Sequence, residues 1–222
     1  LAGTLDNLRT QTQLRIDEGF LGFDTEHQRA FRTNNLFLGV GRLNQTAIAH
    51  SLTSSTSDFK KPVANALGIN FGTSETIVAV VKKNARVLLR LYEWLSAKGV
   101  ETGSGERVIR NKSLLMIDDE ADYASINVNK DGKAASSINH HIRMILRLFE
   151  RSGYVGYTAT PFANIFIPVD DQDQLFPRDF IINLPPPSNY IGPDKVFGFE
   201  FQEDEREEFK TTLPIVHRVD DF

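Results

Sequence analysis

Residues 113–122 read SLLMIDDEAD, a short apolar run that ends abruptly in acid. The SLLMI portion has the continuous hydrophobicity of a strand buried on both faces of a parallel sheet. Asp118, Asp119, Glu120 and Asp122 follow it directly. In open α/β sheets, ligands gather at the carboxyl ends of the strands. A strand that ends this way delivers carboxylates to that crevice.

Working outward, the alternation of strand and helix repeats. Residues 76–81 (TIVAVV) form a second buried, β-branched run. Asn84 is placed to cap a helix whose apolar stripe is Val87, Leu88, Leu91, Trp94 and Leu95, closed by Gly99. Residues 101–110 (ETGSGERVIR) read as a loop. After a polar loop at 127–133, the spacing predicts a helix over 137–151, with Ile138, Ile142, Ile145, Leu146 and Phe149 inward. Residues 154–157 (YVGY) read as a third strand, running into Thr158-Ala159-Thr160-Pro161. Upstream, Asp6 or Thr4 is expected to cap a helix over about 7–18, ended by Gly19. Residues 1–4 (LAGT) read as a strand end entering a loop, and 51–58 (SLTSSTSD) as a loop, while most of 20–75 has no legible period. Downstream, 180–184 is expected to be a strand stopped by Pro185, Pro186 and Pro187, and 203–210 an acidic surface helix. Strands alternating with helices predict an α/β fold, a parallel sheet flanked by helices.

Composition sets limits on function. The 222 residues are 41% hydrophobic and 24% charged, which suits a folded domain. No apolar run approaches the ~20 residues of a membrane span, and no signal-peptide pattern opens the chain. There is no Cys, which excludes disulfides and thiolate metal sites. A cytoplasmic location is expected. The net charge of −4 and pI of about 5.8 lack the basic excess of a dedicated nucleic-acid binder, so any such contact must be local. The chain opens on Leu1 without an initiator Met, which suggests a piece of something longer.

The acidic string suits phosphoryl transfer. There the first Asp holds the magnesium shell and a neighbouring Glu orients and deprotonates the attacking water. Asp118 adds a third carboxylate, so the register is open. The metal role is placed on Asp119 because Asp119-Glu120-Ala121-Asp122 then completes a D-E-A-D string. Thr158 and Thr160 carry hydroxyls that can hydrogen-bond those carboxylates from the next strand end. Each string alone is common in ordinary turns. Two of them one helix apart, at consecutive strand ends, are far less common.

D-E-A-D followed by T-A-T-P resembles motifs two and three of superfamily-two helicases. The longer strings LAGTLDNLRTQTQ, LLMIDDEADYASIN, YVGYTATPFANIFI and LFPRDFIINLPPPSNYIGP resemble the Z-one domain, a prokaryotic family of helicase-like ATPases often labelled endonucleases. The resemblance covers nearly the whole chain and is weak over about residues 30–70. It implies a RecA-like, P-loop NTPase-type fold, incomplete at the N-terminus. Residues 1–170 would be the ATPase core and 171–222 a family-specific extension. It implies ATP and magnesium as cofactors and DNA as partner, in a setting of DNA modification or phage defence. Asp119 would take the magnesium role, Glu120 the base role and Asp122 a motif-two contact, with Thr158 and Thr160 coupling hydrolysis to movement. Arg9, Thr10 and Gln11, after Leu8, would touch a nucleic-acid backbone at a helix N-terminus. The departure is large: no Gly-Lys-Ser/Thr occurs, Gly132-Lys133-Ala134 being nearest, and no second lobe with an arginine finger is present. The piece alone is not expected to turn over ATP.

Weaker signals remain. Lys82 and Lys83, with Arg86 and Arg90, form a basic cluster, and the first two are the better nucleic-acid candidates. Arg143, Arg147 and Arg151 lie four apart, which fits a solvated helix face better than a phosphate track. Asp194, Glu208 and Lys210 mimic a restriction-type nuclease string, the basis of an alternative endonuclease reading. A non-catalytic interaction module is a third possibility. His140 and His141 lack the spacing of a metal site.

Overall fold

The computed structural model describes residues 1–26, 37–43, 49–123, 137–161, 175 and 177–191. The chain forms two compact units, Leu1–Arg178 and Asp179–Phe222. The first is a mixed α/β structure. Its described elements are α1 (Asp6–Ile16), β1 (Ala49–Ser51), α2 (Lys61–Ala66), β2 (Thr76–Val78), α3 (Ala85–Ser96), β3 (Val100–Glu101), β4 (Arg107–Asp118), α4 (Ser137–Arg147) and β5 (Phe149–Gly156).

β1 and β2 pair in parallel, with Ala49 opposite Thr76 and Ser51 opposite Val78. β3, β4 and β5 form a second sheet in that order, β3 antiparallel and β5 parallel to β4. Residues 1–3 tie the two together. The Ala2 N–H donates to Val81 O (3.0 Å) and the Lys83 N–H to Gly3 O (2.8 Å) on one side. On the other, the Asp119 N–H donates to Leu1 O (3.0 Å), and Ala2 bridges Asp119 in parallel. The opening residues are thus a strand-like link into the end of β4, as their sequence suggests.

The core lies between β4 and the helix pair α3 and α4. Leu88, Trp94, Ile142 and Ile145 are each no more than 2% exposed and pack with Ile109 and Met116 of β4. Each aliphatic side chain so buried contributes about 1.5–3 kcal/mol. The stripe expected on α3 is the buried one. Asn84 caps the helix, its Oδ1 accepting from the N–H groups of Arg86 (2.9 Å) and Val87 (3.3 Å). Trp94 satisfies its indole N–H on Asn65 Oδ1 (2.9 Å) and meets Phe59 and Phe71 edge-on.

Several expectations are corrected. β4 is buried on one face only: Met116 and Asp118 point inward, whereas Leu115 (64%) and Ile117 (49%) are exposed. Residues 101–110 are a loop only over 102–106, because β3 and the start of β4 pair on either side of it as an antiparallel hairpin. The helix expected over 137–151 ends at Arg147. Phe149 and Arg151 instead pair with Ile109 and Ser113, ladder hydrogen bonds overriding local helical spacing. Arg151 therefore leaves the stripe of Arg143 and Arg147. α1 has no side-chain cap: Leu5 is its N-cap, and Asp6 turns to Lys82 Nζ (2.8 Å). The chain coils on through Gly19 as a π-turn to Leu21 and stops at Gly22 (φ 78°). A Cβ there would lie 2.4 Å from the Gly41 backbone, so only glycine fits.

In the second unit the described residues, 179–191, are irregular and exposed, and the strand expected over 180–184 is not formed. Pro185, Pro186 and Pro187 have no N–H to give a ladder. Among the described residues no helix is long and apolar enough to cross a membrane.

Candidate functional site

The parallel pairing of β4 with β5 sets Asp118 opposite Gly156, so both motif-bearing strings leave the sheet side by side. The Tyr157 N–H donates to Asp118 O (2.8 Å), and the Ala121 N–H donates back to Tyr157 O (2.9 Å). A Cβ on Gly156 would come within 2.9 Å of Ala121 Cβ, so glycine permits this close crossing. Beyond it opens a cleft of about 800 Å³, bordered by Thr4, Leu8, Asp119, Glu120, Asp122, Thr158 and Thr160, among others.

Three neighbouring acids divide between two environments. Asp118 is wholly buried, ion-paired with Lys83 Nζ at 3.3 Å, and accepts from the Tyr154 hydroxyl at 2.6 Å. Its charge is spent inside the fold. Asp119 and Glu120 are exposed on the cleft. The open register between Asp118 and Asp119 is therefore narrowed by burial: of the two, only Asp119 reaches the cleft.

Glu120 is the one non-glycine among the described residues with positive φ (53°). For an L-residue this costs roughly 1–2 kcal/mol. Such a conformation persists only where surroundings impose it, and functional sites are where it clusters. Gly3 sits against it: a Cβ on Gly3 would lie 2.9 Å from Glu120 Oε2.

Asp122 joins the two strand ends. Thr158 Oγ1 donates to Asp122 Oδ1 (2.6 Å) and Thr160 Oγ1 to Asp122 Oδ2 (2.7 Å). The Thr160 N–H donates to Thr158 Oγ1 (2.9 Å), closing a small ring. Donation from Thr158, against a smaller opposing effect of burial and with help from Thr160, holds the Asp122 carboxyl below its ordinary value of 3.8.

The expected nucleic-acid residues divide. Arg9 is 3% exposed and spends its guanidinium on the carbonyls of Ser54 (2.9 Å) and Ser55 (2.8 Å). Thr10 donates to the same Ser55 carbonyl (3.0 Å). Arg9 is thus corrected from a backbone contact to a strut for the 51–58 loop. Lys83 is likewise corrected: its side chain is buried and cannot meet a phosphate. Lys82 is paired with Asp6 and partly covered, while Gln11, Arg86 and Arg90 remain on the surface. His140 and His141 meet edge to face at 5.6 Å. Among the described residues no three acidic or imidazole side chains converge on a metal position. Gly132, Lys133, Asp194, Glu208 and Lys210 lie outside the described residues.

Sequence reasoning missed the parts played by Gly3, Lys83 and Tyr154. Nothing local marks them, because each works on a residue distant in the chain. Comparison with protein-family models, curated proteins and solved structures returns no match.

Proposed function

We propose that this chain is part of the RecA-like core of a helicase-like, nucleic-acid-dependent ATPase acting on DNA. The observation that carries the reading is the shared rim. Asp122 binds both hydroxyls of the next strand end, directly beside two exposed carboxylates, Asp119 and Glu120. This arrangement is what hydrolysis coupled to movement needs: an acid pair facing the cleft, and a polar link that any shift of the 158–160 turn would disturb.

The residues present fit a magnesium–nucleotide pair. Magnesium is usually held by one or two carboxylates, with waters and phosphate oxygens completing the shell. Asp119 meets that need alone, without a three-residue cluster. When bound, magnesium would neutralise phosphate charge. The remaining work falls to side chains of this protein. Glu120 accepts a proton from the attacking water as its oxygen bonds to the terminal phosphorus and the bond to the leaving oxygen breaks. Asp122, kept ionised by Thr158 and Thr160, holds the two turns together until that step displaces them. Gripping of the phosphates and the arginine finger are assigned to other parts of the native protein, since no Gly-Lys-Ser/Thr occurs here.

The test is DNA-stimulated ATP hydrolysis by the full native protein. Glu120→Gln is expected to lower turnover by about 10²–10⁴-fold while leaving melting unchanged. Wild-type turnover in that variant refutes the proposal.

A further inference from the structure

Lys83 is an expensive residue in its position. Its side chain is fully buried, and removing an ammonium from water costs several kcal/mol. A hydrophobe of similar size would fill the same space without that penalty. Neutralising Asp118, 3.3 Å away, accounts for only one of the contacts its ammonium makes. The shorter contacts go elsewhere. Lys83 Nζ donates to the carbonyl of Glu120 at 2.5 Å and to the carbonyl of Tyr123 at 3.0 Å. Both carbonyls belong to the turn that carries the acid string out of β4.

The first of these contacts is to the strained residue itself, and the second is three residues beyond it. Glu120, at φ 53°, lies in a region that glutamate rarely adopts. Its carbonyl is drawn inward by a buried cation, and its carboxylate is left beside Gly3 on the cleft side. Lys83 is itself anchored there, since its own N–H donates to Gly3 O at 2.8 Å. The same residue therefore fixes both walls around the Glu120 side chain, from a position 37 residues away in the chain. We infer that Lys83 is a positioning residue for hydrolysis: it holds Glu120 in the left-handed turn that aims its carboxylate into the cleft.

This inference rests on the ATPase reading, and the test separates the two. Lys83→Met alone would leave Asp118 buried without its ion pair and could unfold the protein. The informative variant is Lys83→Met with Asp118→Asn, which removes both charges together. Were Lys83 present only to neutralise Asp118, this pair would behave as wild type. A positioning role predicts a kcat lower by about 10–100-fold, the scale of an ångström-level misplacement, with KM for ATP within about twofold. In a Glu120→Gln background the same pair should add no further loss, since the group it positions is already disabled. Lys83→Arg, which keeps the charge opposite Asp118, is the second variant. Its bulkier guanidinium overpacks a fully buried position and displaces the 120–123 turn, so the same loss of kcat is expected. Turnover is measured on the full native protein with DNA present. Wild-type kcat in either Lys83 variant, or losses that multiply with Glu120→Gln, overturns the positioning role while leaving the ATPase reading intact. Wild-type turnover in Glu120→Gln alone overturns the ATPase reading itself, and the positioning role with it.

Discussion

Beneath α1, Gln13, Asp17, Thr25 and Thr53 form a closed hydrogen-bonded set, while at the end of β4 Asp119 and Glu120 stand in the open. Asp17 is fully buried and accepts from Gln13 Nε2 (2.8 Å), the Thr25 N–H (3.1 Å) and Thr25 Oγ1 (2.7 Å). Thr53 Oγ1 donates to Gln13 Oε1 (2.7 Å) and accepts from the Val80 N–H (2.8 Å), joining α1 to the strand region. Every one of these groups has left water and found a partner, as buried polar groups must. At the rim, Asp119 and Glu120 keep their carboxylates in solvent and Glu120 carries backbone strain. The first region uses polarity to hold a shape. The second keeps polarity available at a cost in stability, as sites for chemistry commonly do.

Three substitutions sharpen this contrast. The largest effect on stability belongs to the closed set. Asp17→Ala strands three buried donors, and a loss of about 3 kcal/mol, or roughly 10 °C in melting temperature, is expected. Thermal unfolding followed by circular dichroism checks it, and an unchanged midpoint would show that the set is not structural. Glu120→Gly runs the other way. Glycine adopts the left-handed conformation without strain, so a gain of about 1 kcal/mol is expected together with loss of ATP turnover. A lower melting temperature would mean that Glu120 is not strained.

The smallest effect belongs to Asp122→Asn, because the group is near the surface. Under about 1 kcal/mol of stability should be lost near neutral pH. The sign of its pH dependence follows from the Thr158 hydroxyl. The folded carboxyl titrates below the ordinary 3.8, so its contribution is present above 3.8 and is lost as pH falls through the lower folded value. The gap in melting temperature between wild type and variant should therefore shrink only in acid. A gap that instead closes toward alkaline pH would contradict the hydrogen bonds from Thr158 and Thr160.

Much of the site was legible locally. Apolar runs ending in Asp119-Glu120 and in Thr158-Ala159-Thr160 announced neighbouring strand ends, because an apolar run broken by polar and turn-forming residues is a local signal. Asn84 and the stripe from Val87 to Leu95 predicted α3, since capping and helical period are properties of adjacent residues. What local pattern could not supply was partnership. Residues 107–110 look like a loop and are strand, because β3 and β5 pair with this stretch. Arg9 and Lys83 read as ready cations, and both are buried against carbonyls contributed from 37 to 46 residues away.

By itself, then, the sequence determined the alternation of elements, the helix stripes and the two polar strings, all of which depend on spacing along the chain. Only the tertiary structure decided which of Asp118 and Asp119 faces the cleft, which lysine is spent inside, and that Glu120 sits in a left-handed turn. Those outcomes depend on burial and on hydrogen-bond acceptors brought in from remote segments. Nearly identical neighbouring residues therefore met opposite environments.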